Sequence, residues 1–302
     1  MIPALSVWPP LPPAAFLRPA GAQLPFPLDE KGCRLYACGR HALHAGVLAL
    51  GLREGDEVLV PAYNHGSEVE ALARAGLVPR WYGASGSLEP DDDELETLVG
   101  SRTRALHLIH YLGFPQDGAR WRRWCDERGL LLLEDAAQSW LAETEAGPAG
   151  SFGQLSIVCL YKSVGVPDGA ALVLEGEVGG PGRSRLGAAA AARKSAAWLA
   201  GRSGRIASVL ARVPRSGAPA DEFMLGEWES APSRATTWLV PRLAGPDVAA
   251  ARRANYEVLL EELGENVAEP FGVVPAGAAP FTFPFATPKK ADFLQRLYRG
   301  RV

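Results

Sequence analysis

Short apolar runs alternate with amphipathic segments between residues 40 and 175 of the chain. Helices are predicted at 40–51 and 67–76, because apolar residues recur there at helical spacing and glycine follows. The second has Ser67 as its N-cap and Gly76 as its stop. The remaining predicted elements are the helices EPDDDELETLVG and ARWRRWCDERG and the strands EVLVP, LVPRWYG, TRALHLIHYLG, LLLLEDAAQSW and LSIVCLYK.

This alternation predicts an α/β fold with a mostly parallel central sheet and helices on both faces. Strands in such a sheet are buried on both sides, which accounts for their nearly continuous apolar sequences. Ligands of open parallel sheets lie beyond the carboxyl ends of the strands. Polar residues that directly follow the apolar runs are therefore the first candidates for a site.

After residue 175 the pattern weakens, and residues 176–232 are rich in Gly, Ala, Arg and Ser. A long helix is predicted at 246–264, a strand in APFTFPFAT, and a last helix in KADFLQRLYRG. We therefore predict a large domain of residues 1–235 and a small α+β domain of residues 236–302.

Composition narrows the class of protein. The 302 residues are 47% hydrophobic and 22% charged, which is typical of globular proteins, and the net charge of -3 gives no sign of a nucleic-acid surface. No apolar run reaches the roughly 18 residues of a membrane span. The Pro-rich residues 1–30 lack the basic start of a signal peptide and are predicted to form an arm packed on the body. These features predict a cytoplasmic protein.

The four cysteines give no metal pattern. None of them form a C-x-x-C pair, and their spacing fits no zinc site. We expect four reduced thiols, at Cys33, Cys38, Cys125 and Cys159.

Lysine is scarce in this chain, and that scarcity singles out Lys162. Arginine supplies nearly all of the 31 basic residues, whereas Lys162 follows the apolar run LSIVCLY. A desolvated lysine can act as a neutral amine, which arginine never does. Lys162 is therefore a candidate nucleophile.

Three further features fall at the same predicted edge of the sheet. Asp135 ends LLLLED, His65 follows VLVPAYN, and Gly39 precedes a helix whose free backbone N–H groups suit a phosphate. Each has an ordinary explanation when taken alone. Asp135 could cap the next turn, His65 could be a satisfied loop residue, and many helices begin after glycine. Together with Lys162 they supply a phosphate cradle, a ring stacker, a pyridinium partner and an amine, which pyridoxal 5′-phosphate (PLP) requires.

The chain resembles the DegT/DnrJ/EryC1/StrS family of PLP-dependent sugar aminotransferases. The segments that carry the resemblance are CGRHAL, GDEVLVP, TRALHLIHYLGFP, EDAAQ and the Lys162 strand with its following DG, and EDAAQ is the most specific of them. The small-domain segments RRANYEVLLEEL and APFTFPF are also similar. The resemblance implies fold type I and a homodimer, with the small domain shortened relative to the family.

Residue by residue, the resemblance implies these roles. Gly39, Arg40 and His41 lie at the phosphate, where the latter two give backbone amides, and His65 replaces the stacking aromatic residue. Asp135 pairs with the pyridine nitrogen, and Gln138 contacts the cofactor O3′. Lys162 binds the cofactor covalently, and Cys159 stands near the place of a phosphate-binding serine.

The chain departs from the family near the lysine. The distance from strand to lysine is shorter by two residues, and an ungapped alignment places Val164 at the lysine position. Lys162 is preferred because a gapped loop restores the following DG and strand. The family's Asn-Tyr-Arg-Met segment is not recognisable around LGEWESAPSRATTW.

The function implied is transfer of an amino group, from glutamate, to a nucleotide-linked ketosugar. One alternative is a catalytically lapsed member that serves as a binding or regulatory protein. Another is a PLP enzyme of different chemistry, such as a sugar dehydratase, although such members typically replace the lysine by histidine. The partners expected are small molecules and a second copy of the chain, with neither nucleic acid nor membrane.

Overall fold

A seven-stranded sheet forms the centre of the molecule. The computed structural model describes residues 9–83, 86–203, 224–245 and 247–299. The strands of the sheet are β1 Arg34–Tyr36, β2 Glu57–Pro61, β3 Val78–Tyr82, β4 Thr103–Ile109, β5 Leu131–Asp135, β8 Leu155–Cys159 and β9 Ala170–Leu174, and the short β6 Glu143–Thr144 and β7 Gly147–Pro148 pair separately. Strand order across the sheet is β1-β9-β8-β5-β4-β2-β3. Strand β9 pairs antiparallel with both β1 and β8, and the other pairs are parallel, so the predicted mostly parallel α/β architecture is confirmed.

Helices cover both faces of the sheet. The helices are α1 Gly39–Ala49, α2 Ser67–Arg74, α3 Asp92–Leu98, α4 Gly118–Glu127, α5 Leu160–Ser163, α6 Ala188–Ala200, α7 Arg234–Leu243, α8 Asp247–Leu263 and α9 Lys290–Arg299. One buried cluster packs α1 and α2 against one face of the sheet, and two others pack α4, α7 and the N-terminal arm against the other face. Both faces of β2 and β8 are buried along their whole length, which explains their continuous apolar sequences.

The described part of the N-terminal arm packs on the body, as predicted. Leu11 and Ala15 are fully buried beside Trp140 and Leu239. The arm crosses the loop between α5 and β9, where a Cβ on Gly165 would lie 2.5 Å from the Pro10 carbonyl oxygen. Residues 1–8 of the predicted arm lie outside the described residues.

Two local predictions are wrong. Ser67 does not cap α2, because Gly66 takes that position with φ +92° and no side chain caps the helix. The segment APFTFPFAT forms no strand, and its only β-bridge to a residue in the described part of the chain joins Phe285 to Val267. Pro280 and Pro284 lack the N–H groups that a strand would donate.

The sequence pattern also missed α7, in which Pro241 interrupts the helical signal. Leu239 and Val240 of α7 share a buried cluster with the N-terminal arm. The division of the chain at 235/236 stays a prediction. No helix in the described residues is long and apolar enough to cross a membrane.

Candidate functional site

Two neighbouring strands deliver the candidate residues to one edge of the sheet. Asp135 is the last residue of β5, and Cys159 is the last residue of β8. The strands are parallel, with Asp135 paired in register with Ile157. The single turn of α5 follows β8 and carries Lys162. The positive charge of Lys162 lowers the pKa values of both Asp135 and Cys159, against the larger effect of burial.

The start of α1 lies against the same strand end. A Cβ on Gly39 would stand 3.0 Å from the sulfur of Cys159, so a larger residue here would crowd the thiol. Cys38 precedes the helix in an extended conformation, and no side chain caps it. The backbone N–H groups of Arg40 and His41 act on the Cys38 thiol, and that of Gly39 acts on the Cys159 thiol, in each case lowering the thiol pKa. Because sulfur is a weak acceptor, these N–H groups are still suited to an anion beside Cys159.

The side chain of His41 has a different use. Nε2 of His41 donates to the carbonyl oxygen of Leu225 at 2.7 Å, and burial lowers the His41 pKa. His41 therefore ties residue 225 to α1. Only its backbone amide is left for the role predicted from the sequence.

The thiol of Cys159 is protonated at neutral pH. Burial raises its pKa to about 11, and the nearby charge of Lys162 opposes that rise. A neutral thiol adds no negative charge to a phosphate site, but it is a weak hydrogen-bond donor.

Asp135 is a buried carboxylate whose closest contacts are neutral groups. Asp135 is only 8% exposed, and its Oδ1 accepts a hydrogen bond from the Ala137 backbone N–H at 2.8 Å. Burial raises the Asp135 pKa, with His107 and Lys162 opposing the rise and Glu68 adding to it. Among the described residues no lysine or arginine forms an ion pair with Asp135. Such a carboxylate favours a cationic ligand.

His65 lies at the exposed side of this edge, in the loop before α2. Its backbone N–H donates to Oε1 of Glu68 at 2.8 Å, and its Nδ1 lies 3.2 Å from the hydroxyl of Ser67. Glu68, a buried carboxylate that the sequence pattern did not single out, therefore fixes the loop at His65. Whether the imidazole stacks on a ring stays a prediction.

Gln138 is half-buried after β5, and its Oε1 accepts from the Leu112 backbone N–H at 3.1 Å.

Glu134, which precedes Asp135, points to the interior instead. It accepts from the backbone N–H of Phe152 at 2.7 Å and from Nε2 of His110 at 2.9 Å. The two acidic residues of EDAAQ thus have separate duties: Glu134 organises the 150–153 turn, and Asp135 faces the site.

Arg252 of α8 is a residue that sequence reasoning missed. Its Nη2 donates to the carbonyl oxygens of Lys162 at 2.7 Å and Ser163 at 3.1 Å. Both Arg252 and Nζ of Lys162 lie 5.9 Å from the centre of the Phe281 ring. Burial lowers the Arg252 pKa to about 10. The guanidinium therefore holds the backbone of the lysine turn, and no local sequence pattern indicates a partner 90 residues away.

The Val164 alternative is unsuited to chemistry. Val164 is 4% exposed and packs in an apolar cluster with Leu160 of α5.

The described residues contain no group of three or more His, Cys, Asp or Glu side chains that could hold a metal ion. All four cysteines, which the structure describes, are unpaired.

Comparison with known proteins gives a consistent assignment. Residues 30–177 match the model of the DegT/DnrJ/EryC1/StrS aminotransferase family. GDP-perosamine synthase of Vibrio cholerae is 29% identical over 47% of this chain and 39% of its own length. The EryC1 protein of Saccharopolyspora erythraea, described as an erythromycin biosynthesis sensory transduction protein, is 33% identical over 48% of this chain and 41% of its own length. The chain therefore matches about two fifths of these curated relatives.

A solved structure extends the likeness in fold. DesV of S. venezuelae, in complex with a ketimine intermediate, has a TM-score of 0.61 at 21% identity. The likeness covers 89% of this chain and 68% of that one. It confirms the fold type I architecture that the resemblance implied.

Proposed function

Because the chain belongs to the DegT/DnrJ/EryC1/StrS aminotransferase family, we propose that it is a PLP-dependent aminotransferase acting on a ketosugar. The observation that carries the proposal is that the neighbouring strands β5 and β8 end in Asp135 and Cys159, with Lys162 in the turn after β8 and the start of α1 against the sulfur of Cys159. The glutamate donor, the nucleotide on the sugar, the homodimer and the cytoplasmic location are further proposals. They rest on the sequence alone and on the nucleotide in the name of the perosamine synthase.

The residues present fit PLP. Asp135 is buried without an ion-pairing lysine or arginine in the described chain, and a protonated pyridine nitrogen would supply the cation. The start of α1, whose N–H groups have only weakly accepting thiols as side-chain partners, suits the phosphate dianion, and Gly39 has no side chain to fill the space beside Cys159. Lys162 supplies the amine that binds the cofactor aldehyde.

Each residue then has a defined task. When bound, PLP supplies an electron sink for the carbanion formed at the amino donor. Asp135 would hold the proton on the ring nitrogen, and Nζ of Lys162 would accept and return the proton moved at the donor Cα. The amides of Gly39, Arg40 and His41 would bind the phosphate. His65 and Gln138 would orient the ring, the first by stacking and the second by a hydrogen bond.

The test is a PLP titration followed by visible absorbance and molar mass together. A new visible band that borohydride removes, with the reduced adduct mapped by peptide mass to Lys162, would support the proposal. Transamination with glutamate and a nucleotide-linked ketosugar completes it. Because the phosphate cradle and Lys162 belong to one chain, dimerisation should tighten PLP binding only modestly.

The other outcomes are equally informative. If no band appears, the proposal fails. If PLP binds without transamination of any ketosugar, the chain is a lapsed member with a binding or regulatory role. If the band appears only with the dimer, residues of the partner complete the site, and the prediction of a self-sufficient cradle is wrong.

Replacement of Cys159 by serine is expected to strengthen PLP binding by about tenfold. A hydroxyl is a better donor than a thiol, and a hydrogen bond to a charged group contributes about 1.5–3 kcal/mol. The measurement is the Kd for PLP. Cys125→Ser is the matched control, because Cys125 is also buried but lies in α4. Equal or weaker binding by Cys159→Ser would show that the residue at 159 does not face the phosphate.

A further inference from the structure

The imidazole of His107, in β4, has no solvent contact and no hydrogen bond to the residues that the structure describes. Its side chain is fully buried, and neither ring nitrogen has a hydrogen-bond partner among the residues that the structure describes. A buried polar group without a partner is destabilising, so such groups call for an explanation. No role for His107 follows from the family resemblance or from the sequence pattern.

The strand register places His107 directly behind the site. In the β4–β5 pair, Ile109 aligns with Asp135 and His107 aligns with Leu133. His107 and Asp135 therefore share a sheet face, with His107 one row deeper. Nε2 of His107 lies 3.8 Å from Oδ2 of Asp135, the oxygen that does not take the Ala137 N–H.

Charge selects the tautomer of the imidazole. Burial lowers the His107 pKa, so the ring is neutral and carries a single N–H. The carboxylates of Asp135 and Glu68 act on it in the opposite sense, favouring positive charge. An N–H at Nε2 attracts Oδ2, whereas a lone pair there repels it. The proton therefore belongs on Nε2, facing Asp135.

His110 on the same strand provides the contrast. Its Nε2 lies 2.9 Å from Oε1 of Glu134, and its Nδ1 accepts from the Gln116 backbone N–H at 2.9 Å. Both nitrogens of this buried histidine are used within the fold. For His107, the carboxylate that lies close to Nε2 belongs to Asp135, a residue of the candidate site.

We propose that His107 donates Nε2–H to Oδ2 of Asp135 and is the positioning residue that orients this carboxylate toward the pyridine nitrogen. The proposal rests on the proposed function. A modest approach of the two side chains turns the 3.8 Å separation into a hydrogen bond. With this bond, His107 holds Oδ2 while the Ala137 backbone N–H holds Oδ1. Both oxygens of the carboxylate are then fixed before the cofactor binds. Preorganisation of this kind increases affinity, since less order must be imposed on binding.

The first experiment needs no cofactor. Long-range 1H–15N spectra of the imidazoles are recorded for the PLP-free protein and for Asp135→Asn, with His107 assigned through His107→Gln. We expect the Nε2–H tautomer, and we expect the His107 nitrogens to shift in Asp135→Asn while His41 and His44 do not. Unchanged His107 signals would overturn the proposal.

The second experiment measures the Kd for PLP. His107→Leu removes the donor and should weaken binding about tenfold, whereas His107→Gln keeps an N–H near the Nε2 position and should recover most of the affinity. In the Asp135→Asn background, His107→Leu should cause little further loss. His44→Leu is the control, because it removes another buried imidazole that packs on the same face.

Equal losses in His107→Leu and His107→Gln, or full additivity with Asp135→Asn, would overturn the proposal. If His107→Leu does not fold, the spectra of the unaltered histidine still decide the matter. If the protein binds no PLP, the proposed function fails, and the spectra decide separately whether His107 and Asp135 are paired.

Discussion

Lys162→Ala is expected to abolish covalent attachment of PLP and to reduce transamination by at least about 10⁴-fold, because the variant loses both the nucleophile and the proton carrier. The fold should persist, since the Lys162 side chain is only half-buried and Arg252 contacts the main-chain carbonyl rather than the amine. The measurements are turnover, the visible band and peptide mapping after borohydride reduction.

Two variants isolate the role of the amine. Lys162→Arg keeps a positive charge but never provides a neutral nitrogen, so it should be as inactive as Lys162→Ala. Lys194→Ala is the matched control: Nζ of Lys194 donates to the Pro9 carbonyl oxygen at 3.2 Å, and burial lowers the Lys194 pKa to about 8. A reduced adduct on Lys194, or activity retained in Lys162→Ala, would show that the wrong lysine was chosen.

Asp135→Asn is expected to weaken PLP binding at least tenfold. The variant keeps the side-chain shape and the bond from Ala137 but removes the charge that would pair with the pyridinium. A hydrogen bond to a charged group contributes about 1.5–3 kcal/mol, which corresponds to a tenfold change or more. If affinity and turnover are unchanged, Asp135 is only a turn cap.

The same substitution is expected to stabilise the PLP-free protein at neutral pH. Burial raises the Asp135 pKa, so folding disfavours the ionised form. This cost is present above the folded pKa and disappears as pH falls through it toward the unfolded value of about 3.9. Urea unfolding should therefore show Asp135→Asn more stable than the parent at pH 7, with the gain lost in acid.

The exposed Asp29→Asn provides the control for that measurement, because its carboxylate stays in water. A parent protein that is more stable than Asp135→Asn at pH 7 would mean that His107 and Lys162 already compensate the buried charge. In that case Asp135 would stabilise the fold without a ligand.

The strands of the sheet and the first candidate site residues could be predicted from the sequence because both depend on local patterns. A strand buried on both faces, such as β8, is a continuous apolar run, and the residue that ends it reaches the edge where ligands bind. Asp135 and Lys162 could therefore be selected before the fold was known. The start of α1 could be selected for the same reason, since helix boundaries have local signals.

Contacts between distant segments could not be predicted in this way. The approach of His107 to Asp135 depends on the register of β4 against β5, and a shift of one residue would turn His107 to the other face. The bonds of Arg252 join residues 90 positions apart. Pro241 weakens the helical pattern of α7, so this helix was not predicted. Pro284 cannot donate a backbone N–H to a sheet, so the strand predicted around it does not form.

The contact of Arg252 with the lysine turn has a consequence for how this region tolerates mutation. The guanidinium binds carbonyl oxygens of Lys162 and Ser163, and every amino acid offers a carbonyl at those positions. Side chains in the turn could therefore diverge without loosening it, whereas few residues could replace Arg252 in reaching two such oxygens at once. In a library of random variants, position 252 should accept fewer substitutions than position 163.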